Sequence, residues 1–328
     1  MGRASGAARR AADRRRRQRA GAPGRAAIGR ALRARKRHDR AHDHRRGDTA
    51  GRTHVSLWRG RLHLASDEQS GTGDQVTVLE LSGVSAGYGE HTVLRDVTLS
   101  VAQGEVVAIL GPNGVGKSTL LNVALGWLRP TAGSVSLIGR PLASIGASER
   151  GRTVSLVPPV DHIAFEYSIL EYVLLGRAPY IGRMQTPGSD DVEKAREALA
   201  RVGMDAMAGH GVLETSAGER QLVLLARSLA QDPAVLLLDE PSAHLDLANK
   251  RRLVELLARE AAGGRTIVLT VHEPEFAAAI ADRVVLLRDG ALLADGVPDS
   301  VMTADLLTRA YGVPIAVERV AGRSVFIW

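Results

Sequence analysis

The sequence contains no cysteine. That excludes a disulfide framework, a cysteine nucleophile and any thiolate metal site. Aromatic residues make up only 3% of its 328 positions, so a core has to be assembled from Leu, Val, Ala and Ile. No apolar run approaches the roughly 18–20 residues that a membrane helix needs. The longest, such as Val235–Leu238 and Ile267–Val271, are of strand length. The N-terminus is basic but lacks the apolar stretch of a secretory signal peptide.

What is present divides into two electrostatic regimes. Residues 1–61 carry a net charge of +16 and the remainder −9, so the overall +7 describes neither part. Residues 1–75 are rich in Arg, Ala and Gly, include the run Arg14–Arg17, and lack strong hydrophobic periodicity. Such a segment buries too little apolar surface to offset its ordering entropy, and a disordered extension is expected. Its charge suits phosphates of nucleic acid or anionic lipid; His38, His42 and His44 read as solvated side chains. A competing expectation is that translation starts near Val76, where the first strand-like run begins: the next methionine after Met1 is Met184, and valine GTG codons often start genes in high-GC bacteria. The folded domain is expected to span residues 76–328.

Within that span, Val106–Leu110 reads as a short buried strand. It runs into Gly111-Pro112-Asn113-Gly114-Val115-Gly116-Lys117-Ser118, a G-x-x-x-x-G-K-[ST] phosphate loop, and then into an apolar helix from Thr119. The glycines let backbone N–H groups turn toward phosphates, Lys117 reaches the β and γ phosphates, and the Ser118 hydroxyl suits Mg²⁺. The helix directs its positive dipole end at the same anion. A second strand, Ala234–Leu238, ends in Asp239-Glu240. Acids at the carboxyl edge of a buried strand lie where ligands bind in parallel α/β sheets. Asp239 suits the Mg²⁺ shell, and Glu240 the base that orients and deprotonates water. The strand Thr266–Val271 ends at His272, a candidate γ-phosphate contact. Ser216 and Glu219 have the spacing of a capping box at a helix start.

Taken in order, the phosphate loop, "TSAGERQ", "VLLLDEP", "SAHLD" and the strand-end His272 resemble the ABC ATP-binding cassette family. The resemblance spans Val76–Trp328 and implies an α/β fold: a P-loop NTPase (RecA-like) core, an antiparallel β subdomain near residues 76–105 and a helical signature subdomain near 160–230. It implies ATP hydrolysis with Mg²⁺, Tyr88 stacked on adenine, and Asp246 as the D-loop acid. It implies further that Ser216, Ala217, Gly218 and Glu219 close on the ATP of a second, identical subunit in a head-to-tail dimer. Transmembrane permease subunits, an indirectly acting solute-binding protein and a place at the cytoplasmic face of the membrane follow from the same resemblance. The stretches "FEYSILEYVLLGRAPYIG" and residues 281–320 look most like importers of iron–siderophore, haem or cobalamin complexes.

Two departures stand out. The family's Q-loop glutamine, a Mg²⁺ ligand and γ-phosphate sensor, is replaced at Pro159, which offers no such group and stiffens the loop. Thr215 and Ala217 stand where Leu and Gly are usual, and Ala217 adds a Cβ where backbone is expected close to phosphate. ATP binding is expected to survive and hydrolysis to be slowed. The alternatives are a non-hydrolysing or weakly hydrolysing nucleotide sensor, suggested by Pro159 and Ala217, and a nucleic-acid-associated ABC ATPase, suggested by the basic arm. The second lacks the paired cassettes or inserted coiled coil of such proteins, and nucleic acid is not the expected partner.

Overall fold

The computed structural model describes residues 76–328 apart from positions 160, 162, 183, 244 and 321. The expectations for residues 1–75 lie outside the described residues.

Strands β1 (Thr77–Tyr88) and β2 (His91–Ala102) form a long antiparallel hairpin, registered from Thr77 opposite Ala102 to Tyr88 opposite His91. Leu79, Leu81, Val84 and Ala86 face inward, and a register shift between Leu81 and Val84 keeps the apolar set on one face. Strand β3 (Val106–Leu110) is buried along its whole length. It leads through the glycine-rich loop into α1 (Lys117–Ala124), after which β4 (Ala132–Leu137) and β5 (Arg140–Pro141) extend the hairpin sheet to the order β2-β1-β4-β5.

Helix α2 (Ala147–Thr153) leads to β6 (Val154–Val157). The helical part follows: α3 (Ile169–Leu174), continued as a 3₁₀ segment over Leu175–Tyr180, then α4 (Ser189–Arg201) and α5 (Ala217–Ala230). The chain returns to the sheet with β7 (Val235–Asp239), α6 (Leu247–Ala262), β8 (Thr266–Val271), α7 (Pro274–Ile280), β9 (Arg283–Arg288) and β10 (Ala291–Gly296). Two short helices, α8 (Pro298–Val301) and α9 (Ala304–Tyr311), and a hairpin of β11 (Ala316–Val320) with β12 (Arg323–Ile327) close the chain.

The central sheet has the order β10-β9-β3-β8-β7-β6, parallel except for the antiparallel pair β9–β10. Its middle strands are β-branched and leucine-rich because both faces are covered. Alternation assigns each side chain to one of two cores. Val107, Ile109, Leu237 and Val268 pack with the hairpin sheet and α1, while Ala108, Leu110, Leu236, Leu238 and Leu269 pack with α3 to α7. Each fully buried Leu or Val contributes about 1.5–3 kcal/mol of transfer free energy, so the aromatic-poor core is sustained by number rather than size.

The expected division is recovered: an antiparallel β part, a parallel core and a helical part spanning α3 to α5. The first strand begins at Thr77, one residue after the expected start.

Candidate active site at the carboxyl edge of the central sheet

Strands β3, β8 and β7 are neighbours, and Leu110 pairs with Val271 and Asp239 with Thr270 at their carboxyl ends. These three ends deliver the glycine-rich loop, His272 and the Asp239-Glu240 pair to one edge.

The loop holds its curve through positions that admit no side chain. Gly111 has φ 154°, and a Cβ there would lie 2.6 Å from the Leu287 carbonyl oxygen. Gly116 has φ 111°, and its Cβ would lie 2.7 Å from the Leu94 side chain. Between them Asn113 and Gly114 are exposed, Pro112 is half-buried, and Val115 tucks inward. Gly116 is also the N-cap of α1 and supplies no side-chain cap, so the first amides of the helix remain available to an anion. Ser118 is exposed in that first turn and Thr119 is buried.

Lys117 is 4% exposed, and its Nζ donates to the carbonyls of Gly111 at 2.9 Å and Pro112 at 3.1 Å. The same nitrogen lies 3.7 Å from Glu240 Oε1. Burial pulls its pKa below the ordinary lysine value, and the charges of Glu240 and Asp239 oppose that shift.

Asp239 is buried, with Oδ1 accepting from the Thr270 hydroxyl at 2.5 Å. The Thr270 oxygen in turn accepts from the Glu240 N–H at 3.0 Å, and the Thr270 carbonyl accepts from the same N–H at 3.1 Å. Glu240 turns the chain with φ 47°, a left-handed conformation that costs a non-glycine residue about 1–3 kcal/mol. The turn places its carboxylate between two cationic or potentially cationic groups, with Oε2 3.8 Å from His272 Nδ1 on the side away from Lys117. His272 Nε2 lies 3.8 Å from Glu273 Oε1, and Lys250 Nζ donates to both Glu273 oxygens at 2.7 and 2.6 Å.

Lys117, Asp239, Glu240 and His272 therefore converge as expected from the sequence. Tyr88 ends β1, half exposed, its hydroxyl accepting from Asn122 Nδ2 at 3.3 Å across to α1. Pro159 is exposed two residues past β6, whose Val157 pairs with Leu238 of β7, so it belongs to the same sheet edge.

The signature residues form a separate group at the start of α5. Ser216 is its N-cap: its hydroxyl accepts from the Glu219 N–H at 3.3 Å, and Glu219 Oε2 accepts from both the Ser216 N–H and the hydroxyl at 2.8 Å. These bonds, the backbone one foremost, hold the Glu219 carboxyl below the usual carboxylate range. Ala217 is exposed, and the crowded position is Gly218, where a Cβ would lie 2.6 Å from Asn249 Nδ2. Asp246 caps α6 by accepting from the Asn249 N–H at 2.7 Å. The Asn249 side chain thus lies against the signature helix beside the Asp246 turn, within one chain. Among the described residues, no hydrogen bond or ion pair links this group to Lys117, Glu240 or His272.

Thr270, Lys250, Glu273 and Asn249 escaped the sequence reading. Thr270 and Asp239 are 31 residues apart, and a threonine inside a β-branched strand carries no local sign of a polar task.

A family model described as ABC transporter matches residues 94–243. The hemin import ATP-binding protein HmuV of Nocardia farcinica is 42% identical over 225 residues, covering 69% of this chain and 77% of that protein. The cobalamin import ATP-binding protein BtuD of Halobacterium salinarum is 36% identical over 241 residues, covering 73% of this chain and 60% of that one. Among solved structures, an ABC transporter in an inward-facing conformation has a chain that superposes with a TM-score of 0.68 at 29% identity, covering 77% of this chain and 98% of that one. The chain belongs to the ABC transporter family as an ATP-binding subunit, and it is an ATPase.

Proposed function

We propose that this ATPase works as one half of a homodimer that powers import of a haem, cobalamin or other metal-chelate cargo. Import subunits of this kind work with permease components, and cassettes of this kind dimerise. Among the described residues no helix is long and apolar enough to cross a membrane; in this reading separate permease subunits, fed by a solute-binding protein, hold the chain at the cytoplasmic face. The carrying observation is the convergence of Lys117, Glu240 and His272 at one sheet edge. The names of the hemin and cobalamin relatives support the cargo class.

In the catalytic cycle, Tyr88 stacks on adenine, and the amides of Gly111–Thr119 with the α1 N-terminus cradle the phosphates. Lys117, already desolvated, exchanges its two carbonyl partners for β and γ oxygens. Glu240 orients a water and takes its proton as the oxygen bonds to the γ-phosphorus and the bond to ADP breaks. His272 holds the γ-phosphate opposite Glu240. The partner's Ser216–Glu219 segment covers the same phosphate, and Asp246 crosses the interface beside it. The exposed Ser118 hydroxyl and the Asp239 carboxylate, one of whose oxygens is taken by Thr270, are hard oxygen donors that fit Mg²⁺. Mg²⁺ held there would supply neutralisation of the phosphate charge. Among the described residues no group of three or more acidic or histidine side chains could hold a metal by itself.

Pro159 adds no oxygen to this shell. Replacing Pro159→Gln is expected to raise the ATPase rate about three- to tenfold, a gain of roughly 1 kcal/mol in transition-state stabilisation, and to shift its Mg²⁺ dependence. Steady-state phosphate release across a Mg²⁺ series checks this, and an unchanged profile would show that the loop is not short of a ligand.

The cargo reading is tested by cellular uptake of haem and of cobalamin, measured with the wild-type chain and with Glu240→Gln in cells lacking the native copy. Uptake of one cargo restored only by the wild type is expected. Uptake of both that is indifferent to the chain would sink the reading.

A further inference from the structure

The C-terminal helix α9 returns to the catalytic edge. Its last residue, Tyr311, lies 39 positions beyond His272, yet its hydroxyl donates to the His272 main-chain carbonyl at 3.2 Å. The N–H of Gly111, the first residue of the phosphate loop, is close enough to pull the phenol's pKa down against the rise from burial. Strands β3 and β8 are hydrogen-bonded as far as the pair Leu110 and Val271. Gly111 and His272 are the next residues on each, where the loop and the histidine turn diverge and the ladder ends. The tyrosine hydroxyl sits at that place, bonded to the His272 carbonyl and beside the Gly111 N–H.

The side chain is held from behind. Leu307 and Ala310 of α9 are buried, and the Tyr311 ring packs on the same core as Val271 and Leu286. The Thr308 hydroxyl oxygen accepts from the Ile315 N–H at 2.9 Å, and Arg288 of β9 donates to the Arg309 carbonyl. Gly312, with φ 73°, stops the helix directly after the tyrosine. Burial pushes the phenol up to about 12, against the Gly111 hydrogen bond that pulls it down, so the donor keeps its proton at neutral pH.

We propose that Tyr311 is a positioning residue for ATP hydrolysis, its hydroxyl clamping the mouth of the phosphate loop to the His272 backbone and so fixing the imidazole opposite Glu240. The inference rests on the roles given above to Lys117, Glu240 and His272. The phenol acts through the backbones beside it, that of His272 above all. Its position, outside residues 94–243, makes the C-terminal segment part of the catalytic machinery.

The test is Tyr311→Phe in the full chain, which keeps the ring and removes only the oxygen. Misplacing a catalytic group by a fraction of an ångström is expected to lower kcat about tenfold, with KM for ATP within about twofold. In a His272→Ala background, read by single turnover, the same change is expected to have no further effect, because coupled groups are not additive. Amide exchange at Gly111 should accelerate in the Phe variant, a readout independent of turnover and of overall stability when global unfolding is measured beside it. Unchanged kcat, a full loss persisting without His272, or unchanged Gly111 protection would each overturn the proposal. Glu240→Gln serves as the control: if it hydrolyses ATP at the wild-type rate, the assignment of the site itself fails, whereas an inactive Glu240→Gln beside a fully active Tyr311→Phe removes the clamp alone.

Discussion

Glu240→Gln is expected to lower ATP turnover by about 10²–10⁴-fold, the usual contribution of a positioned general base, while ATP binding persists. The substitution is close to isosteric. It leaves the backbone N–H bonds to Thr270 in place and asks nothing new of the φ 47° turn. What it removes is the negative charge poised 3.7 Å from Lys117 and 3.8 Å from His272. With binding intact and the proton acceptor gone, the ATP-bound dimer should accumulate, so sedimentation in MgATP would find a dimer where the ADP sample is monomeric. Phosphate release within about threefold of wild type would exclude Glu240 as the base, since a group worth so little is below the range for proton transfer.

Lys117→Met should weaken ATP binding by at least about 10²-fold. Hydrogen bonds to charged groups contribute about 1.5–3 kcal/mol each, and two phosphate contacts at the low end already reach that figure at 1.4 kcal/mol per decade. Methionine is the informative replacement because its unbranched stem fills much of the space that the buried lysine occupies. The unliganded protein should also lose stability. The carbonyls of Gly111 and Pro112 give up their donor, and Glu240 is left facing His272 without its nearer cation. Isothermal titration with ATP and a nucleotide-free urea melt separate the two effects. Wild-type affinity would mean that the loop amides alone hold the phosphates.

The parts of this site that could be read in the sequence are those whose chemistry is contiguous in the chain. Gly111–Ser118 is a strand end, a turn and a helix start within eight residues, each demanding a residue type. The Ser216–Glu219 capping box is complete in four residues, and the structure contains every bond of it. Asp239, Glu240 and His272 were legible because a buried apolar run must stop at an edge and polar residues at its end have few other tasks. The parallel core was legible for the same reason, in its continuous apolar runs, whereas the antiparallel hairpin was read only through the family resemblance. What stayed hidden is carried by pairs distant in the chain. Thr270 orders Asp239 and Glu240 together, Lys250 and Glu273 stand behind His272, and Asn249 lies against Gly218. None of these has a spacing that distinguishes it from ordinary helix or strand composition. Tyr311 is further from legibility still, since it arrives from a late helix that packs against β9 and β10.

The two-core alternation along β3, β7 and β8 makes the sheet behave like a parity check. Odd and even residues of each strand answer to different layers, so the strand has only one way to sit, and its last residue inherits that choice. Removing one residue from β7 would exchange the two sets of side chains and put Glu240 where Asp239 now meets Thr270. The interior therefore proofreads the order of the two acids, and a chain that miscounts loses its fold before it can build a faulty motor.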